Sequence, residues 1–173
     1  MHSTEIVSGR RLALALEPGD DVLGSIGQAC SDHGIAQAVI VTFSGAFRRV
    51  RLIATHHDDR PDPEEPLTDA VEVTHVEGVG SGTVATLDDG TLSVHVHVAV
   101  GVRAEAGAAY AGHLLAGEAQ YVVEVVLDEV LEPRTTRSAS DATRGVPAWR
   151  FLDTSAEAPP ALALRQRHEG TMP

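Results

Sequence analysis

The run TLSVHVHVAV, residues 91–100, sets two histidines two positions apart among valines. On a strand, Leu92, Val94, Val96, Val98 and Val100 would share one face, and Ser93, His95, His97 and Ala99 the other. Cα atoms two apart on a strand are separated by roughly 6.5–7 Å, from which two imidazoles can converge on one ion at about 2.0–2.1 Å. His113 follows His97 by sixteen residues, beyond the Gly- and Ala-rich link GVRAEAGAAYAG, so an adjacent strand or turn would bring it in as third ligand. Three histidines plus a water form the open arrangement of a catalytic or small-ligand zinc site. Paired histidines on a polar strand face are also commonly structural, and the spacing alone leaves both readings open.

Other residues compete for chemical roles. Glu124, in YVVEVVLDEV, shares a strand face with Val122 and Val126 and is expected to be partly buried. It would orient a ligand histidine, act as a general base or, most commonly for a buried carboxylate, pair with a cation at an interface. Glu118 lies closer to His113 and competes for the same role. His33 falls at the end of a helix, where a cation suits the dipole. His75, flanked by glutamates, reads as a surface residue, and Cys30 as core packing on an apolar helix stripe. His56, His57, Asp58 and Asp59 sit in HHDDRPDPEEPLTD and could catch a metal, yet that composition reads first as a solvated acidic loop. There is no GxSxG elbow, P-loop or HExxH, and the glycine-bearing stretches precede no helix.

These residues need elements to hold them. Leu12, Leu14 and Leu16 alternate as on a strand with one buried face. After Pro18-Gly19 the spacing changes to Val22, Leu23, Ile26, Ala29 and Cys30, which predicts an amphipathic helix with Asp20 and Asp21 at its positive end and Gly34 as its stop. IAQAVIVTFSGAF is apolar at successive positions, as in a central strand covered on both sides, and FRRVRLIAT resumes alternation after Gly45. AVEVTHVEGVG, GTVATLDDG, the two-histidine run and GEAQYVVEVVLDEVL read as strands separated by glycines, with Asp88-Asp89-Gly90 as a hairpin turn.

At 173 residues and 43% hydrophobic content the chain can fill one real core. A single cysteine excludes an intrachain disulfide framework and any multi-cysteine zinc cluster. With no leader-like start and no run near the roughly 20 apolar residues that span a bilayer, a cytoplasmic protein without membrane contact is expected. The net charge is −12 and all 13 basic residues are arginine. From residue 134 onward six arginines outnumber four acids, so the tail carries +2 and the body −14. An acidic body repels nucleic acid and anionic membrane. The composition divides the chain into a domain over residues 1–132 and an extended arm over 133–173, whose Trp149 and Phe151 are placed to dock on the body or on a neighbouring subunit.

In order along the chain stand the turn Glu17-Pro18-Gly19-Asp20-Asp21 into a helix, the element Ser44-Gly45-Ala46-Phe47, the His95-x-His97 pair and Gly112-His113-Leu114. Between about Arg11 and Leu131 this combination resembles the plant-and-prokaryote conserved (PPC) domain family. The resemblance implies an α+β domain: a curved, mainly antiparallel β-sheet with one packed amphipathic helix, similar to the acetolactate decarboxylase fold and assembled as a homotrimer. It also implies a divalent metal, zinc first, on His95, His97 and His113. Prokaryotic members are often described as DNA-binding, whereas plant members replace the histidines and carry an R-G-R-P AT-hook. This sequence has no AT-hook, which with the acidic body argues against DNA as partner. Ala111 stands where the family usually has the first glycine of G-G-H. Three functions follow as expectations: a trimeric metal module with a regulatory or small-molecule-sensing role; a zinc-dependent lyase or hydrolase with a pocket beside His95; and a DNA-binding protein using the arginine-bearing tail.

Overall fold

Pro18 and Gly19 end the first strand and start the only α-helix in the described part of a computed structural model, which covers residues 3–54, 69–105, 107–140, 143 and 145–152. Strand β1, Val7–Leu16, holds the alternating leucines, with Leu16 buried and Leu12 and Leu14 half-buried. Helix α1, Val22–Asp32, buries Val22, Ile26 and Cys30, one residue per turn on one stripe. Asp21 is its N-cap residue but makes no side-chain capping bond. The helix start is instead tied to the sheet through the backbone: Gly19 N–H donates to Ala119 O at 2.9 Å, and Ala119 N–H to Asp20 O at 3.0 Å.

The remaining strands are β2, Ala38–Ile53; β3, Val71–Leu87; β4, Leu92–Val102; β5, Ala109–Glu132; β6, Thr135–Ser138; and β7, Ala148–Phe151. Strand β2 lies between β3 and β5, while β4 pairs with both β3 and β5, all antiparallel. The circuit β2–β3–β4–β5 therefore closes on itself. Strand β1 adds to the outer side of β5; β6 runs parallel to β3 and β7 antiparallel to β6. A closed circuit satisfies the backbone of four strands without free edges. Its interior is filled by Phe43 and Phe47, whose rings stack at 5.8 Å, with Val50, Val96, Val100 and Leu127. Helix α1 packs on β5, β4 and β1.

The mainly antiparallel sheet with one helix agrees with the expected fold class, and Asp88-Asp89-Gly90 forms the β3–β4 turn, with Gly90 N–H on Leu87 O at 2.9 Å. Three details differ. Strand β2 is central but not covered on both sides, since Val41 is 48% exposed on the outer face. The stretches AVEVTHVEGVG and GTVATLDDG, expected as two strands, fall on the single strand β3, and Gly45 lies within a continuous β2. Glu124, expected to be partly buried, is exposed: Val123 and Val125 take the inner face, and Glu124 shares the outer one with exposed Val122. His33 and His75 are exposed and Cys30 is buried, with its thiol pKa pushed up by burial. His56, His57, Asp58 and Asp59 lie outside the described residues. Among the described residues no helix is long and apolar enough to cross a membrane.

Candidate metal centre

Alternation on β4 puts Val96, Val98 and Val100 into the core, which leaves His95 half-buried and His97 exposed on the opposite face. Antiparallel pairing then selects their neighbours. His97 is opposite His113 on β5, and His113 is also opposite Ile53 on β2, so the third histidine sits where the circuit closes. On the other side, Thr83 of β3 is opposite His95 and Ser81 opposite His97. Directly opposed residues present their side chains on the same face of a sheet. Three histidines from two adjacent strands thus converge as a consequence of register.

The imidazole centroids lie 4.9 Å apart for His95 and His97, 4.6 Å for His95 and His113, and 5.4 Å for His97 and His113. One ring nitrogen from each lies within 4.8 Å of the others. Tetrahedral bonds of about 2.0–2.1 Å would bring such nitrogens to roughly 3.3 Å, so a bound ion needs only small ring movements. Burial, then the positive charge of Arg137 and the other two histidines, pushes the His95 pKa down to about 4. Burial likewise lowers that of His113, joined by His97 and Arg137 and opposed by the Val96 carbonyl. Neutral imidazole is the form that binds metal. His113 Nδ1 is also buried without a hydrogen-bond partner among the described residues. Three convergent imidazoles, one with an unsatisfied nitrogen, fit a borderline-soft divalent cation such as zinc.

The carboxylates flagged as helpers stand elsewhere. Glu118 is half-buried and bound to Arg48 Nη1 at 2.8 Å and Arg49 Nε at 3.1 Å. Glu124 lies eleven residues farther along β5 than His113, opposite Ser44 and Ala15. Among the described residues no carboxylate hydrogen-bonds to any of the three histidines. A cavity of about 420 Å³ opens against His97, lined also by Val79, Ser81 and Ala111.

Sequence reading missed Arg137. It lies on β6, which pairs with β3 at Thr86 and Leu87 and so runs beside the histidine face. The residue is only 7% exposed, and its Nη2 donates to Thr83 Oγ1 at 2.6 Å, beside His95. Composition could not single it out, because it is one of six arginines in a segment rich in Pro, Ala, Ser and Thr.

The sequence profile described as the Plants and Prokaryotes Conserved (PCC) domain matches residues 3–131. No curated protein matches the chain. Among solved structures, a plant- and prokaryote-conserved (PPC) protein from Pyrococcus horikoshii is 23% identical with a TM-score of 0.72, covering 88% of this chain and 99% of its own. A metal-containing protein from Archaeoglobus fulgidus is 23% identical with a TM-score of 0.70, over 87% of this chain and 99% of its own. A protein from Ralstonia eutropha JMP134, named as a candidate DNA-binding protein, is 19% identical with a TM-score of 0.65, over 81% and 90%. Acetolactate decarboxylase from Bacillus subtilis subspecies spizizenii reaches a TM-score of only 0.47 at 13% identity, over 78% and 57%, which does not establish a shared fold. The profile match ends before β6, so Arg137 and Trp149 lie outside it.

Proposed function

Because the chain belongs to the Plants and Prokaryotes Conserved domain family, we propose that it is a homotrimeric metal module that holds a divalent ion, zinc first, on His95, His97 and His113 and senses a small molecule there. Residues 1–132 form the domain in this reading and 133–173 a C-terminal arm, of which β6 and β7 extend the sheet. One observation carries the proposal: three imidazoles meet on one face, with burial lowering the pKa of His95 and His113 and with no carboxylate bonded to any of the three among the described residues. When bound, the ion would supply Lewis acidity and an exchangeable ligand position. The histidines orient it, and the core valines of β4 keep both of that strand's ligands on one face.

A regulatory role is favoured over a lyase or hydrolase by the positions of the acids. Glu118 is committed to two arginines and Glu124 is exposed, so among the described residues neither stands as a general base against the histidines. DNA binding through the arginine tail is disfavoured by net charge and by Arg137, which is buried and presents no basic surface. The test is metal content per chain, by mass spectrometry, of wild type and of the double variant His95→Ala, His97→Ala. Near-stoichiometric transition metal, lost in the variant, is expected. Metal-free wild type after purification and after zinc loading would overturn the reading.

A further inference from the structure

Three buried side-chain nitrogens have no hydrogen-bond partner among the described residues: His113 Nδ1, Arg137 Nε and Trp149 Nε1. Buried polar atoms without partners are rare in folded proteins and expensive, so three of them in one region call for a physical account. Strand register places them together. Arg137 is directly opposite Trp149 in the β6–β7 hairpin, so both side chains project from one face of it. Arg137 Nη2 donates to Thr83 Oγ1 at 2.6 Å, Thr83 is the cross-strand partner of His95, and His95 touches His113 through rings 4.6 Å apart.

Arg137 itself is the stronger part of the argument. The residue is more than nine-tenths buried, and among the described residues no carboxylate pairs with it. Its other bond is a long one, Nη1 to Pro147 O at 3.3 Å. Burying an unpaired guanidinium is costly unless an anion compensates it. A dication on the adjacent histidines would make that deficit worse. Those two bonds leave Nε–H and one hydrogen each on Nη1 and Nη2, and Nε–H with a hydrogen of Nη2 forms an edge of the planar fork that matches a carboxylate.

We propose that the β6–β7 hairpin completes the centre with an anion subsite, in which Arg137 Nε and Nη2 and the Trp149 indole N–H receive the carboxylate of a small organic acid lying against the three-histidine face. This rests on the proposed metal-sensing site only for the ligand's second end, since the carboxylate half is built by Arg137, Trp149 and Thr83. The ligand class is a small carboxylate, because a planar two-oxygen group suits the Nε–Nη2 edge of the guanidinium, where the unpartnered Nε lies. Binding forms charge-assisted hydrogen bonds and no covalent bond.

Trp149 is the only tryptophan in the chain and therefore a built-in reporter. The experiment is titration of the full chain with sodium acetate at constant ionic strength, followed by Trp149 fluorescence, in zinc-loaded and metal-free protein. Sodium phosphate and sodium chloride are run in parallel. Saturable change with acetate is expected, with affinity lowered about 10- to 100-fold in Arg137→Lys, which keeps the charge and loses the fork. Thr83→Val, which frees the guanidinium without removing it, is expected to weaken acetate binding as well while leaving metal content unchanged. A wild-type response in Arg137→Lys, no saturable response to acetate with metal bound, or saturation by phosphate but not acetate would overturn the proposal. Saturable acetate binding by a protein that never takes up metal would leave the anion subsite standing and remove the metal reading. Metal uptake without acetate binding would do the reverse.

Discussion

Burial acts on opposite sides of the charge balance at single residues of this chain. At His95 it removes the proton, and at Arg137 it strands a charge. Glu129 shows a third outcome, because its buried carboxylate is fully answered. It accepts from Arg10 N–H at 3.1 Å, Nε at 2.8 Å and Nη2 at 2.8 Å. The Arg10 side chain, then its backbone N–H, holds the Glu129 carboxyl down at about 2, against an ordinary value of 4.5. The folded state therefore binds fewer protons than the unfolded state between those values. The stabilisation is complete above pH 4.5 and is lost as pH falls through about 2. In Glu129→Gln the uncharged amide has no such dependence, so its stability should fall less steeply across this acid window than that of wild type. Urea unfolding midpoints measured at several pH values will decide, and parallel slopes for the two proteins would refute the assignment. None of this pairing was legible in the sequence, since Arg10 and Glu129 lie 119 positions apart and only β1–β5 register joins them.

Strands with strict alternation were legible as elements, and those interrupted by glycine were not. Val94 to Val100 on β4 and Val22, Ile26 and Cys30 on α1 follow periods of 2 and 3.6, so a buried face could be assigned from the residues alone. The alternation on β4 already places His95 and His97 on one face. Strand β3 failed the same reading because Gly78, Gly80 and Gly82 look like separators. In the fold they are close-approach positions: a Cβ on Gly82 would collide with the His95 carbonyl, and one on Gly80 would lie 2.5 Å from the His97 carbonyl. Missing side chains here let β4 approach, and β4 carries two of the three histidines. Gly82→Ala should therefore splay β3 from β4, costing about 1–3 kcal/mol by the usual penalty for overpacking. Zinc uptake should fall with it, because His95 moves relative to His113. Thermal unfolding and metal content of the variant are the checks, and wild-type values in both would contradict this account of the glycines. The hairpin β6–β7 was hidden for a different reason: four-residue strands in a Pro-, Ser- and Thr-rich segment carry too few residues to show a period.

Across the whole molecule, closure of the β2–β3–β4–β5 circuit changes what assembly has to accomplish. A strand-rich chain would be expected to assemble in order to cover sheet edges. Here four strands protect one another, and only β1 and β7 end the sheet among the described strands. The surface left uncovered is made of side chains instead. Val79 is 61% exposed and Val122 41%, and both lie on the outer face where β3 and β5 flank β2, since Ser44 is opposite both Val79 and Glu124. Clustered apolar residues on the outside of a closed circuit mark an interface more often than scattered ones do. Val79 also lines the cavity against His97, so a neighbouring subunit seated there would wall the metal centre. The proposed trimer therefore predicts a sedimenting mass of three times the 18.2 kDa chain. Val79→Asp should lower that mass toward one chain while leaving the circuit folded, because a charge at an exposed outer position disturbs the contact and not the core. A wild-type mass of one chain, or an unchanged trimer in Val79→Asp together with Val122→Asp, would show that this face is not where copies meet.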